Sequence, residues 1–209
     1  MADIYNGIVR DLPAVREFFE LPTHESAARI LAEEWRDSVI FESFGKGFAS
    51  SRKAGRFYRR MAGGWYESFD NIINATSDLL EEKATSYFSE RLNQFQHMKD
   101  KIDCTKNLKS ALICAKTLGF IKSALIFLSA VVEVPDLSSK WNSTTDTVPI
   151  LDGIADFSGP KLIIRQPAPN EYYKNPLQIT TAQLIFRNDA EAFLRAQYAI
   201  ICSQRAKSK

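Results

Sequence analysis

The sequence predicts an α+β fold that is mainly α: a helical bundle, a small β-hairpin and a second short antiparallel β element. Three observations predict it. From Phe69 to Met98 apolar residues recur at helical spacing, and neither Gly nor Pro interrupts them. Around Gly63-Gly64 two short aromatic runs, 56–60 and 65–68, flank a pair of turn residues. Between Ile150 and Arg165 short apolar runs alternate with the turn signals Asp152-Gly153 and Ser158-Gly159-Pro160.

The elements follow in order. Asp11 is suited to cap a first helix with Pro13 in its first turn and Val15, Phe18 and Phe19 on its apolar face. Thr23 caps a second helix carrying Ala27, Ile30, Leu31 and Trp35; Ser26 stands where a full capping box would have Glu or Gln, so the box is expected to be missing. Phe41 to Ser51, rich in Gly and Ser, reads as loop. The hairpin over 55–68 is marginal alone and is expected to pack on the helices. Phe69 to Met98 reads as one long helix, or two with a small irregularity. Leu108, Leu112 and Ala115 mark the next, and Gly119 suits a turn or a close crossing before a buried helix, Phe120 to Val132. Pro135 to Thr147 is polar loop, and Asn188 to Cys202 suits a final helix ahead of a basic tail, Arg205 to Lys209.

The 209 residues fit one domain of ordinary size, and 45% hydrophobic with 25% charged residues describes a globular chain with a core, not a disordered or collagen-like one. A net charge of +2 selects no partner. Cys104, Cys114 and Cys202 lack metal spacing and cannot all pair, which favours a reduced compartment; Met1 to Arg10 carries no targeting pattern, and the expected location is the cytoplasm. The apolar stretch Leu118 to Val134 contains Lys122 and Glu133 and is too short to span a bilayer, so no membrane partner is expected.

Catalytic signatures are missing. Gly45-Lys46-Gly47 does not belong to a G-x-x-x-x-G-K-[ST] loop, and neither a G-x-S-x-G nor an H-E-x-x-H occurs. His24 and His97 stand apart. Asp152 and Asp156 suit turn formation better than metal binding.

Local charge is more informative than the total. Between Glu42 and Glu67 the chain has no carboxylate and six cations: Lys46, Arg52, Lys53, Arg56, Arg59 and Arg60. Such a run makes a positive field that the net charge conceals. Guanidinium groups hold phosphates, and Trp65 and Tyr66 beside them are suited to stack on unpaired bases. A protein contact and a solvated hairpin use the same residues. On a strand Arg56, Tyr58 and Arg60 share one face and Phe57 and Arg59 the other, so the Arg set does not point one way.

Three segments carry a resemblance. They are Phe57-Tyr58-Arg59-Arg60 with Gly64-Trp65-Tyr66-Glu67, then Ala124 to Ser129, and then Trp141-Asn142, Pro149 to Phe157, Arg165-Gln166-Pro167 and Glu171-Tyr172-Tyr173. In this order they resemble the accessory domain that precedes the superfamily 3 helicase module of phage, plasmid and poxvirus primase-helicases, over about residues 25–185. The resemblance implies a helical lead-in at 1–24, the accessory domain at 25–185, and a C-terminal helix and basic tail at 186–209 leading toward an ATPase module. It implies a noncatalytic role in replication of a mobile element: contacting DNA, single-stranded or duplex, and positioning the helicase ring. ATP and Mg²⁺ are expected only for that downstream module, with no cofactor in this chain. The chain is expected to be a piece of a longer protein. The partners implied are DNA, the downstream helicase module and further copies of the chain; the alternative is an oligomerisation or docking module without DNA contact. Trp65, Trp141, Asn142, Asp152, Gly153, Asp156, Pro167 and Tyr172 fall on the family's recurrent positions and are expected to be mostly structural, with Trp141 anchoring its loop on the helices.

Overall fold

A computed structural model describes residues 13–44, 55–92, 94–95, 97–143, 146–159, 161–184, 189–190, 192–197 and 199. Asp11, Lys46, Arg52, Lys53, Cys202 and the basic tail lie outside the described residues. The chain divides into two compact units, one from Met1–Arg36 and Asp70–Val132, the other from Asp37–Phe69 and Glu133–Lys209. The fold is α+β and mainly α, with two three-stranded antiparallel sheets.

The first unit is helical: α1 (Pro13–Glu20), α2 (His24–Glu34), α3 (Ile72–Leu92), α4 (Met98–Lys116) and α5 (Leu118–Val132). α1 buries Ala14, Val15, Phe18 and Phe19, the face that its spacing predicts. α2 opens with a complete capping box. Ser26 N–H donates to Thr23 Oγ1 at 3.1 Å and Thr23 N–H to Ser26 Oγ at 3.2 Å, so a serine hydroxyl fills the place expected to need Glu or Gln. α3 ends at Leu92, before the Met98 limit of the segment expected to be one long helix or two with a small irregularity. It packs on α4, and α2 packs on α5; Ala84, Ala111, Ala115 and Ala124 have no exposed surface and keep the helices close. Phe18 lies 6.1 Å from Phe120, ring to ring, and Phe19 5.0 Å from Tyr87.

Two expectations for this unit are corrected. The turn before α5 falls at Thr117, while Gly119 is inside the helix with nothing within 4 Å of the place its Cβ would take. α5 is not buried all round: Ile121, Ala124, Leu125 and Leu128 face inward, and Ile126, Phe127 and Val131 face solvent.

Thr76 is fully buried in this unit, and its Oγ1 has no hydrogen-bond partner among the described residues. An orphaned hydroxyl costs more than it returns, so Thr76→Val is expected to stabilise the chain by about 1 kcal/mol. The check is a higher urea midpoint at unchanged slope.

The second unit begins with β1 (Val39–Ser43), β2 (Gly55–Arg60) and β3 (Tyr66–Ser68), in the order β1-β2-β3. β1 corrects the reading of Phe41 onward as loop. Val39, Ile40 and Phe41 are buried, and Val39 to Ser43 pair with Arg59 to Gly55. The hairpin therefore supplies two strands of a three-stranded sheet, and Ile40, Tyr58 and Tyr66 pack on Leu137, Val134, Trp141 and Tyr172. Leu137 belongs to α6 (Leu137–Lys140), a helical turn inside the segment expected to be loop. β4 (Thr147–Ile150), β5 (Gly153–Asp156) and β6 (Ile163–Arg165) make the expected second β element. Pro149 sits on β4, an edge strand, where a missing N–H breaks no ladder. α7 (Thr181–Leu184) and helical residues 192–197 close the core over Val148, Ile150, Ala155 and Phe157, through Leu184 and Leu194.

Candidate nucleic-acid interface

The basic run enters the sheet on β2, whose period of two divides it. Arg56, Tyr58 and Arg60 share a face with Ile40 and Glu42 of β1 and with Tyr66 of β3, their cross-strand partners. Phe57 and Arg59 occupy the other face with Phe41 and Glu67.

Arg56 is exposed. Arg59, also exposed, donates to Glu67 Oε1 at 2.8 Å and lies 5.1 Å from the Phe69 ring centre. Arg60 is half-buried, and its Nη2 donates to Pro167 O at 3.4 Å. Of the two aromatic candidates, Trp65 is half-buried and its Nε1–H donates to Leu151 O at 3.2 Å. Tyr66 is 6% exposed, packed against Trp141 and Tyr172, so it has no face left for a base. The reason is register: Tyr66 pairs with Arg60 and so turns to the covered side of the sheet with Tyr58.

That covered side is organised by Glu42, a carboxylate only 5% exposed. Tyr58 O–H donates to its Oε2 at 2.8 Å and Trp141 Nε1–H to its Oε1 at 3.0 Å. Burial, then the hydrogen bond to Glu42, pushes the Tyr58 phenol up to about 12, so it stays a neutral donor at physiological pH. Trp141 thus anchors its loop on the sheet, Tyr58 lying 4.9 Å away, ring to ring, and not on the helices as expected.

The fold adds a cation that the basic run does not contain. Lys174 is half-buried, and its Nζ lies 4.6 Å from the Trp141 ring centre and 5.9 Å from that of Tyr58. Asn142 holds it there: Lys174 N–H donates to Asn142 Oδ1 at 3.1 Å, and Asn142 Nδ2 donates to Lys174 O at 3.4 Å. Asn142 has φ +50°, a conformation that Asn tolerates better than most residues. Tyr58 therefore has Arg56 on its own strand face and Lys174 5.9 Å from its ring centre, two cations from distant parts of the sequence that each adjoin one ring.

Asp152, Gly153 and Asp156 each have structural partners. Asp152 accepts the Thr181 N–H at 2.9 Å, holding the start of α7, a longer reach than the local turn expected. Gly153 lets β6 approach: a Cβ there would lie 3.0 Å from Ile164 Cγ2 and 3.1 Å from Arg165 O. Asp156 accepts Ser158 Oγ at 2.6 Å and Arg165 Nε at 2.6 Å, so it does not join Asp152 in a metal pair. Arg165 also donates two bonds to Glu171, at 2.6 and 2.8 Å. Among the described residues no group of three or more His, Cys, Asp or Glu side chains converges as metal ligands do.

The chain matches no protein-family model and no curated protein. The site is accordingly read from its own chemistry.

Elsewhere, the helical unit has a cavity of about 270 Å³ lined by Phe19, Tyr87, Arg91, Cys104 and Asn107 among others. Burial pushes the Cys104 thiol up, the opposite of what a nucleophilic cysteine needs. No single described helix is long and apolar enough to cross a membrane.

Gly64 sets the hairpin turn against Pro167. It has φ +80°, its N–H donates to Met61 O at 2.8 Å, and a Cβ there would run into the Pro167 ring. Gly64→Ala is expected to cost at least about 1–2 kcal/mol from the left-handed backbone alone. A lower thermal midpoint, with fraying of β3 seen by amide exchange, is the check.

Proposed function

We propose that the chain is a noncatalytic module of a mobile-element DNA-replication primase-helicase, contacting DNA through the β1-β2-β3 sheet and positioning an ATP-dependent helicase module that follows. The observation that carries this reading is that two cations adjoin Tyr58: Arg56, exposed on the same face of β2, and Lys174, whose Nζ lies over the Trp141 and Tyr58 rings. Arg59 adds a third cation on the opposite face, tempered by Glu67. Trp65, Trp141, Asn142, Pro167 and Tyr172, the positions of the resemblance, contact or hold residues around this sheet. Cations of this kind hold phosphates and position a nucleic acid without reading its sequence. On this reading ATP and Mg²⁺ belong to the following module, and the setting is the cytoplasm.

The direct test is photo-crosslinking to bromouracil-substituted single-stranded and duplex DNA, followed by peptide mapping. Crosslinks are expected in peptides covering 55–69 and 172–174. Their absence at low salt, or crosslinks confined to the helical unit, would count against the reading. A second reading, an assembly module with no direct DNA contact, is favoured by the outward apolar face of α5.

A further inference from the structure

The cavity of the helical unit is lined by opposite charges that do not meet. Its apolar wall is Phe19 and Tyr87, both buried, with Phe95 packed against the same core. Two helix ends place the charges. Arg91 lies in the last turn of α3 and Asp100 in the first turn of α4, where each complements the dipole of its helix. Both line the cavity, yet no ion pair joins them, and among the described residues neither has another ionic partner. Arg91 Nε donates to Tyr87 Oη at 3.0 Å and Nη1 to Gln94 Oε1 at 3.3 Å. Its remaining N–H groups, both of those on Nη2 included, are left for another acceptor. The Asn107 amide, half-buried on the same wall, has no side-chain partner among the described residues.

We infer that this cavity binds a free α-amino acid with an apolar side chain, its carboxylate on Arg91, its ammonium on Asp100 and its side chain against Phe19, Tyr87 and Phe95. Charge selects the class. A simple anion would face Glu20, Asp100 and Asp103 on the same walls. Glu20 and Asp103 are already paired, with Arg16 at 2.9 Å and Lys106 at 3.2 Å, which leaves Asp100 for a ligand. A simple cation would leave the Arg91 guanidinium without a counter-charge. A zwitterion answers both, and its two charges flank one carbon, within reach of both walls of so small a cavity. Asn107, both donor and acceptor, suits either end. Size agrees. At about 270 Å³ the cavity falls below the ~300 Å³ at which drug-sized pockets begin, and holds one residue-sized molecule. Arg91 and Phe19 already flank the Tyr87 ring, at 5.4 and 5.0 Å, so the ligand is selected for apolar character and not for a free aromatic face. The inference stands apart from the DNA reading, since it uses none of the cations of the β sheet.

The test is amide NMR of the whole chain, titrated with L-phenylalanine, with phenylpropionate, which keeps only the carboxylate, and with phenylethylamine, which keeps only the ammonium. Saturable shifts centred on 19–20, 87–91 and 100–107 are expected with L-phenylalanine below about 10 mM. Each analogue should bind at least about tenfold more weakly. Arg91→Met and Asp100→Asn should each weaken L-phenylalanine at least about tenfold. Glu33→Gln, on α2 outside the cavity, should leave it unchanged. No saturable shift, shifts that map elsewhere, or an analogue that binds as tightly as L-phenylalanine overturns the inference. If Arg91→Met does not fold, since it loses the bond to Tyr87, Asp100→Asn and the analogue series on the wild-type chain decide.

Discussion

Arg165→Met is expected to destabilise the chain by about 2–3 kcal/mol, below the cost of breaking a fully buried pair because its groups keep some solvent. Arg165 is the hinge of a small network: Nε donates to Asp156 at 2.6 Å, and Nη1 and Nη2 grip Glu171 at 2.6 and 2.8 Å. Side-chain exposure is 30% for Arg165, 15% for Asp156 and 22% for Glu171, so removing the guanidinium leaves two carboxylates poorly solvated and close together. The same network dictates how stability responds to acid. Ser158, followed by Arg165, holds the Asp156 carboxyl down to about 2, and Arg165 holds Glu171 below its ordinary value. Both groups are depressed in the folded chain. Their contribution is therefore complete above the ordinary carboxylate range, near about pH 5, and fades as the pH falls toward 2. In Arg165→Met the acid dependence should be shallower but not flat, since Ser158 still donates to Asp156. Urea titrations of both chains across this pH range check size and sign together.

The second large effect is on DNA. Arg56→Glu/Lys174→Gln is expected to lower affinity about 10- to 100-fold and to remove about two phosphate contacts from the salt dependence. Neither side chain lies in a hydrophobic core. Lys174 contacts ring faces at 4.6 and 5.9 Å, and its backbone bonds to Asn142 do not involve the replaced group. Far-ultraviolet dichroism should therefore stay near wild type, and the urea midpoint should fall only by the modest cost of a second carboxylate opposite Glu42. Tyr66→Phe gives the contrasting control, because Tyr66 is enclosed by Trp141 and Tyr172 and should not alter binding by stacking.

Periodicity made much of this architecture legible. The apolar faces of α1 and α3, the Gly63-Gly64 hairpin and the Asp152-Gly153 turn are each local signals, and each is found. What stayed hidden depends on distant partners. Val39 to Ser43 is too short and too close to a Gly- and Ser-rich stretch to declare itself a strand; it exists because β2 pairs with it. Lys174 carries no motif, and only the β-bridge between Tyr66 and Lys174, with the grip of Asn142, places it over Trp141. Tyr66 looked available because the alternation of a strand gives two faces without saying which one is covered; Trp141 and Tyr172, far along the chain, decide that. For α5, composition alone argues burial on every side, yet its neighbours in the helical unit cover one face.

The central claim is that a sheet carrying Arg56 and Lys174 holds DNA by its phosphates. Fluorescence anisotropy of labelled single-stranded and duplex DNA, titrated with the wild-type chain across a salt series, tests it most directly. The prediction is binding at low salt, a linear fall of log affinity with log salt, and little change when the base sequence is changed. The slope for Arg56→Glu/Lys174→Gln should be shallower by about two contacts. No binding at low salt, or a variant with the wild-type slope, would contradict the account.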